Sequence, residues 1–292
     1  MVHRPDSRRA LWLMLGAVLA FVGMDASMKL LAAHYPPLQV GALRGLSSLP
    51  LVLVWAVATR GWASLRPVNW RLHLIRAALG IAMMASFVFG LSRLPLSSAY
   101  AITFVAPMLV TAMAVPLLGE KVGLRRWMAV IIGLAGVLVI LRPGAGTMSW
   151  PALAVLGGAF CYAASAISVR ILTRTDSTQA MVVWVLLLMG LGAGALAWPQ
   201  WLAIRPQDIA VIAMVGVFGA LGQVALTEAF RVGEASQVAP LEYTALVWTV
   251  LIDVAVWGVL PDAATWLGAA IIVMGGFYLL RRERVHDVGE HP

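Results

Sequence analysis

Ten long apolar segments divide this chain, and they constrain its fold more than any other feature of the sequence. Most are about 20 residues long, and at ~1.5 Å of rise per helical residue such a segment crosses a hydrocarbon core of ~30 Å. The segments are 10–32, 38–58, 72–91, 96–118, 125–141, 150–171, 178–198, 208–229, 236–257 and 264–281. The sequence therefore predicts an all-α integral membrane protein with ten transmembrane helices.

The composition points to lipid as the solvent of this chain. Apolar residues make up 61% of its 292 positions and charged residues only 12%, against roughly a quarter charged in soluble domains. The net charge of +8 comes from short clusters between apolar segments, a distribution that argues against nucleic acid as a partner. We predict a multi-pass protein of the cell inner membrane that works as a monomer, with the bilayer as its surroundings.

The cations between the segments predict the orientation. If the N-terminus is cytoplasmic, fifteen Lys and Arg residues fall on the inside and three on the outside, as the positive-inside rule requires. The three outside cations are Arg93, Arg142 and Arg205. Both termini are then cytoplasmic, as short tails 1–9 and 282–292.

The two halves of the chain resemble each other. Two residue pairs recur at the same spacing of 139 positions, Trp127 with Trp266 and Gly119 with Gly258. Each half holds five segments, and an odd number makes the second half enter the membrane from the opposite side. We therefore predict two inverted five-helix repeats, 10–141 and 150–281. Secondary transporters often have this architecture, with the substrate site at the repeat interface near mid-membrane.

Charged residues inside the apolar segments are candidates for function, because they are costly in lipid. We expect Asp25, Lys29 and Arg44 to form one buried charge cluster, which either fixes the first two helices or contacts substrate. Arg76 and Glu242 lie at similar depths toward the cytoplasm, so we expect them to form an ion pair, either as an inner gate or as a static lock. Asp253 is expected to lie at the membrane interface.

Polar aromatic residues in mid-membrane are the other candidates. Aromatic walls with few polar groups suit an amphipathic ligand, and aromatic faces can also hold a cation. Ordinary packing between helices explains each residue equally well when it is taken alone. The candidate cavity residues are Tyr100, Phe104, Tyr162, Gln223, Tyr243 and Trp248.

Two other classes of membrane protein fit the sequence poorly. No His-Glu-x-x-His, Gly-x-Ser-x-Gly or Gly-x-x-x-x-Gly-Lys motif occurs, so we predict neither an enzyme nor an ATP-driven pump, and no catalytic residue, cofactor or metal site. A channel is expected to show ring symmetry or a re-entrant filter segment, and neither is evident. Inverted halves favour a carrier.

Three stretches are similar to the EamA-type transporters of the drug/metabolite transporter superfamily, which include YddG-type amino-acid exporters. They are residues 24–45, 75–120 (which ends Leu-Leu-Gly-Glu) and 239–248. The second half departs from the family pattern at Glu242-Tyr243, where Glu-Pro is frequent, and at Gly258-Val259, the counterpart of Gly119-Glu120.

The resemblance implies a central cavity lined by helices 1, 3, 4, 6, 8 and 9. It also implies a secondary transporter that moves amino acids or related small metabolites by alternating access, as an exporter. Uptake of S-adenosylmethionine or another nucleoside-linked metabolite, and export of cationic drugs, are the alternatives.

Overall fold

The structure, a computed structural model, describes residues 7–119, 123–141, 149–232 and 239–287. Within these ranges every long element is an α-helix. The helices are α1 (Ser7–Ala32), α2 (Pro37–Arg60), α3 (Trp70–Leu91), α4 (Leu96–Thr103), α5 (Ala106–Leu118), α6 (Leu124–Leu141), α7 (Trp150–Leu172), α8 (Thr178–Ala197), α9 (Ile209–Val232), α10 (Ala245–Ile252) and α11 (Ala263–Asp287).

Seven helical stretches are long and apolar enough to cross a membrane, and shorter apolar helices occur at Val130–Leu141 and Ala263–Gly275. Many large apolar side chains face outward, among them Leu138, Phe160 and Leu191. Such a surface is stable in lipid and not in water. The predicted all-helical membrane fold is therefore confirmed, while the number of ten spans stays a prediction.

Two of the predicted segments are not continuous helices. The segment 96–118 breaks between α4 and α5 at Phe104 and Val105, just before Pro107. Ahead of α10, residues Ala239–Thr244 form a 3-10 helix, and residues Asp253–Trp257 behind it form a π-helical turn. Proline and irregular turns of this kind kink helices.

Both broken segments end in the same way. Gly119 closes α5 with φ 70° and Gly258 follows the π-helical turn with φ 64°, each in the left-handed conformation. Glycine adopts this conformation without the steric cost that a Cβ atom would impose. The pair separated by 139 positions in the sequence is thus also a pair in backbone geometry.

The main contacts between helices form the same set when the helices of the first half of the chain are interchanged with those of the second half. α1 packs against α9 and α7 packs against α3, while α2 packs against α8 and α6 against α11. Interchange replaces α1–α3 by α7–α9 and α6 by α11, and it reproduces this set of contacts. Where α2 meets α8, a Cβ atom on Gly45 would lie 2.8 Å from the Cα atom of Gly190. Small residues at such crossings let backbones approach closely.

Side-chain contacts, which we call staples, join equivalent helix ends of the two halves on both faces of the fold. We call the face on which α1 begins the N-terminal face and the opposite face, which carries the α1–α2 and α3–α4 turns, the far face. On the far face, Tyr35 donates to Asp208 at 2.6 Å, and this links the α1–α2 turn to the start of α9. On the N-terminal face, His73 of α3 lies 3.0 Å from Asp176 in the α7–α8 turn.

A second pair of contacts repeats this exchange. Near the far face, the Gln39 side chain of α2 donates to the Leu202 carbonyl at 2.7 Å, between α8 and α9. Near the N-terminal face, the Trp184 indole of α8 donates to the Leu65 carbonyl at 2.7 Å, between α2 and α3. Equivalent helices therefore anchor equivalent connections on opposite faces.

The N-terminal staple gives a prediction on acid stability. Burial opposes ionisation of Asp176, but hydrogen bonds from Thr175, His73 and the Val68 amide outweigh it and lower the pKa of this carboxyl. A carboxyl with a lowered folded-state pKa adds stability above its unfolded-state pKa and loses it as pH falls through the folded-state value. Asp176→Asn is expected to lower the melting temperature at pH 7 and to reduce its dependence on pH below 5. If the melting temperature of the variant falls below pH 5 as steeply as that of the wild-type protein, this role of Asp176 is contradicted.

Candidate substrate site

Asp253 is a buried carboxylate that accepts three hydrogen bonds from the start of α4. Its side chain is buried and accepts the Leu96 amide at 2.9 Å, the Ser97 amide at 2.8 Å and the Ser97 hydroxyl at 2.6 Å. The start of α4 follows Pro95 and has no capping side chain of its own. Because the first amides of a helix lack internal acceptors, α4 takes its cap from the other half of the chain.

Asp253 lies near the far face of the fold, but it does not face water there as an interfacial carboxylate would. Its side chain has 0% relative exposure, because the π-helical turn and the start of α4 enclose it. The position of Asp253 within the apolar segment 236–257 does not reveal that the start of α4 is its partner. The available signal is the missing cap after Pro95, which requires an acceptor from elsewhere in the fold.

Lys29 joins Asp253 rather than Asp25. Its ammonium lies 3.6 Å from the Asp253 carboxylate, donates to the Leu94 carbonyl at 2.7 Å and sits 4.5 Å from the centre of the Trp257 ring. These contacts join α1, the α3–α4 turn and the π-helical turn at the far face. The predicted single cluster is therefore divided into two.

Asp25 and Arg44 form the second cluster, deeper in the fold. The Tyr100 hydroxyl donates to Asp25 at 2.6 Å, and the charges of Asp25 and Arg44 interact. No ion pair within 4.0 Å joins these two residues in the described chain. Arg44 is partly accessible, so the site holds a carboxylate and a guanidinium whose charges interact without forming an ion pair.

Four aromatic rings form a row beside this cluster. Phe87, Tyr100, Phe104 and Tyr243 follow one another with ring centres 6.1, 6.1 and 5.2 Å apart, each pair edge to face. We call these four residues the aromatic row. Phe104 and Tyr243 are themselves 139 positions apart in the chain. These two equivalent positions of the repeat are therefore in contact. The aromatic row lies where the two halves of the chain meet.

The other three predicted cavity residues have different surroundings. Trp248 packs against the main core. Gln223 lies on α9 beside Gly222, which approaches the Phe21 ring of α1. Tyr162 lies on α7 and is half exposed.

Arg76 and Glu242 do not form the expected ion pair. Arg76 donates to the Met181 carbonyl at 2.6 Å, and no contact within 4.0 Å joins it to Glu242 among the described residues. Both charges instead interact electrostatically with the Tyr162 phenol. Glu242 is also accessible although protein atoms surround it.

Two surface pockets lie apart from this site. One of about 450 Å³ is bordered by Pro36, Phe89 and Pro199, and one of about 290 Å³ by Pro95, Ile140 and Leu260. Neither contains a predicted cavity residue. Both lie toward the far face, between helices that face lipid.

The sequence profile of the EamA-like transporter family matches this chain twice, at residues 8–142 and 149–281. The chain therefore belongs to the EamA-like transporter family, and the predicted multi-pass inner-membrane protein is confirmed.

Among its relatives, the riboflavin transporter of Vibrio cholerae is 30% identical over 96% of this chain and 95% of its own length. The riboflavin transporter of Rhizobium johnstonii is 31% identical over 73% of this chain and 71% of its own. The S-adenosylmethionine uptake transporter of Rickettsia prowazekii is 23% identical over 96% of this chain and 95% of its own length.

A solved crystal structure shares the fold. It superposes with a TM-score of 0.62 at 20% identity and covers 91% of this chain and 98% of its own. At this identity the likeness concerns the fold alone.

Proposed function

We propose that this protein is a secondary carrier for planar heteroaromatic metabolites, with riboflavin as the first candidate. The main observation behind the proposal is the aromatic row, whose four rings lie where the two halves of the chain meet. Flat ring systems gain from edge-to-face and offset contacts with such side chains. Relatives named as carriers of riboflavin and of S-adenosylmethionine support this class, since each compound joins a fused heteroaromatic ring to a polar chain.

These relatives favour the uptake alternative over the amino-acid exporter that the family resemblance first implied. None of the three relatives described above is named for an amino acid. A single amino acid would also leave most of the aromatic row without a partner. We therefore infer a substrate with a larger flat surface, taken up rather than exported.

The carrier is built, in this proposal, from two inverted halves, 10–141 and 150–281, that together supply ten spans. The exchange of helix contacts, the two staples and the matched glycines Gly119 and Gly258 support it. The excess of Lys and Arg on the N-terminal face makes that face cytoplasmic.

Counterflow in proteoliposomes tests the proposed substrate class. Vesicles preloaded with unlabelled riboflavin, S-adenosylmethionine or an amino-acid mixture receive the matching labelled compound. We expect transient accumulation of riboflavin well above protein-free vesicles, weaker accumulation of S-adenosylmethionine and none of the amino acids. Accumulation of amino acids alone would refute the proposal and restore the exporter hypothesis.

A further inference from the structure

Arg44 carries hydrogen-bonding capacity that the protein itself does not use. Its Nε atom is buried without a partner, and no other hydrogen bond to its guanidinium occurs in the part of the chain that the structure describes. A guanidinium has five N–H donors in a planar fork. Leaving such a group unpaired inside a membrane protein is unfavourable, so its position calls for a ligand that pairs with it.

Asp25 provides a complementary acceptor beside it. Tyr100 donates to one oxygen of this carboxylate, Oδ2, and no hydrogen bond to Oδ1 occurs among the described residues. The fork of Arg44 and the free oxygen of Asp25 therefore offer donors and an acceptor that lie more than 4.0 Å apart but close enough for their charges to interact. Tyr100 fixes the carboxylate and also belongs to the aromatic row, so the polar pair lies at the edge of that row.

A flat ligand in contact with the row would present its edge to these two groups. The matching edge carries a carbonyl oxygen next to a ring N–H, as in the imide of a flavin. Arg44 then donates to the carbonyl oxygen, and Asp25 accepts the neighbouring N–H. A saturated or purely hydrocarbon edge would leave both groups unpaired, a strong basis for discrimination.

We propose that Arg44 and Asp25 bind the imide edge of the substrate's ring system and thereby select flavin-like heterocycles. This inference rests on the proposed function, because it assumes a planar substrate in contact with the aromatic row. It assigns the guanidinium to substrate recognition rather than to a salt bridge that fixes α1 and α2.

The test compares riboflavin with 3-methylriboflavin, whose imide N–H is replaced by a methyl group, in counterflow on the wild-type protein. We expect the methylated compound to need a concentration about 10- to 100-fold higher for half-saturation, as expected for loss of a charge-assisted hydrogen bond. Equal half-saturation for the two compounds would overturn the inference, and this result requires no variant.

Variants separate the roles of Arg44 and Asp25. Arg44→Gln is expected to raise the half-saturation concentration at least tenfold for riboflavin and 3-methylriboflavin alike, because both keep the carbonyl oxygen, while Arg44→Lys retains part of the affinity. Asp25→Ala is expected to remove most of the preference for riboflavin, because only riboflavin carries the N–H that Asp25 accepts. The matched control is Arg93→Gln, which removes an exposed arginine from the far face and should change neither value. The inference would be overturned by an Arg44→Gln protein that elutes normally from size exclusion and keeps the wild-type half-saturation concentration, or by a folded Asp25→Ala protein that keeps the full preference.

Two outcomes separate this inference from the proposed function. If the wild-type protein transports neither flavin, the proposed function fails and the imide contact with it. If it transports both flavins equally well, the carrier proposal stands and the role of Arg44 and Asp25 is wrong. Loss of S-adenosylmethionine transport in Arg44→Gln, with riboflavin transport intact, would assign the guanidinium to a carboxylate and overturn the imide assignment.

Discussion

Asp253→Asn is expected to abolish transport and to destabilise the protein by about 3–5 kcal/mol, the range seen when one partner of a buried ion pair is removed. The Lys29 side chain is only 13% exposed and the Asp253 side chain 0%, so the ammonium would remain in place without its counter-charge. The amide also accepts more weakly than the carboxylate from Leu96 and Ser97. Thermal melting in detergent and riboflavin counterflow measure the two effects.

Asp262→Asn is the matched control for this prediction. Asp262 accepts the Thr265 amide at 2.9 Å near the far face but is exposed, so its replacement is expected to cost only about 1 kcal/mol as a helix cap. The double variant Lys29→Met with Asp253→Asn should recover much of the stability, because no buried charge is then left unpaired. A single variant as stable as the control would contradict the account of the far face.

Gly45→Val is expected to prevent α2 from packing against α8. An added Cβ atom would already lie 2.8 Å from both the Gly190 Cα atom and the Leu186 carbonyl oxygen. These are backbone atoms that cannot rotate away, so the helices must separate. Overpacking of this kind costs about 1–3 kcal/mol in soluble cores, and here it also opens an interface between the halves. The yield of monodisperse protein after detergent extraction should fall at least severalfold.

Gly157→Val provides the comparison for the same substitution at another helical glycine. Nothing lies within 4 Å of a Cβ atom added at Gly157 of α7, so the larger side chain enters lipid. Yield and melting temperature should match those of the wild-type protein. Equal losses in both variants would mean that the effect reflects the valine itself and not the helix crossing.

The membrane class, the apolar helices and the relation between the halves could be predicted from the sequence. Lipid imposes an all-helical fold on long apolar segments, and the spacing of 139 positions marks Gly119 and Gly258 before their backbone angles are known. The breaks at Phe104 and Thr244 were less accessible. They depend on how the two halves meet, and apolarity alone does not distinguish a broken helix from a continuous one.

The candidate site was predicted in its composition but not in its pairing. Tyr100, Phe104 and Tyr243 are brought together as aromatic residues of mid-membrane segments. The partners of the charges were predicted incorrectly, because Lys29 turns to Asp253 on the second half and Arg76 to a backbone carbonyl. Charges four residues apart on one helix are neighbours only if no better acceptor lies across the interface, and that requires the packed structure.

Flavin fluorescence is the most direct measurement of the central claim, that a flat substrate binds against the aromatic row. Riboflavin titrated with the purified wild-type protein should show saturable quenching, because close contact with tyrosine rings quenches its emission. The double variant Phe104→Leu with Tyr243→Leu keeps the apolar volume approximately but removes the rings, and it should lose the quenching and weaken binding at least tenfold. Unchanged affinity in a folded double variant would contradict the claim.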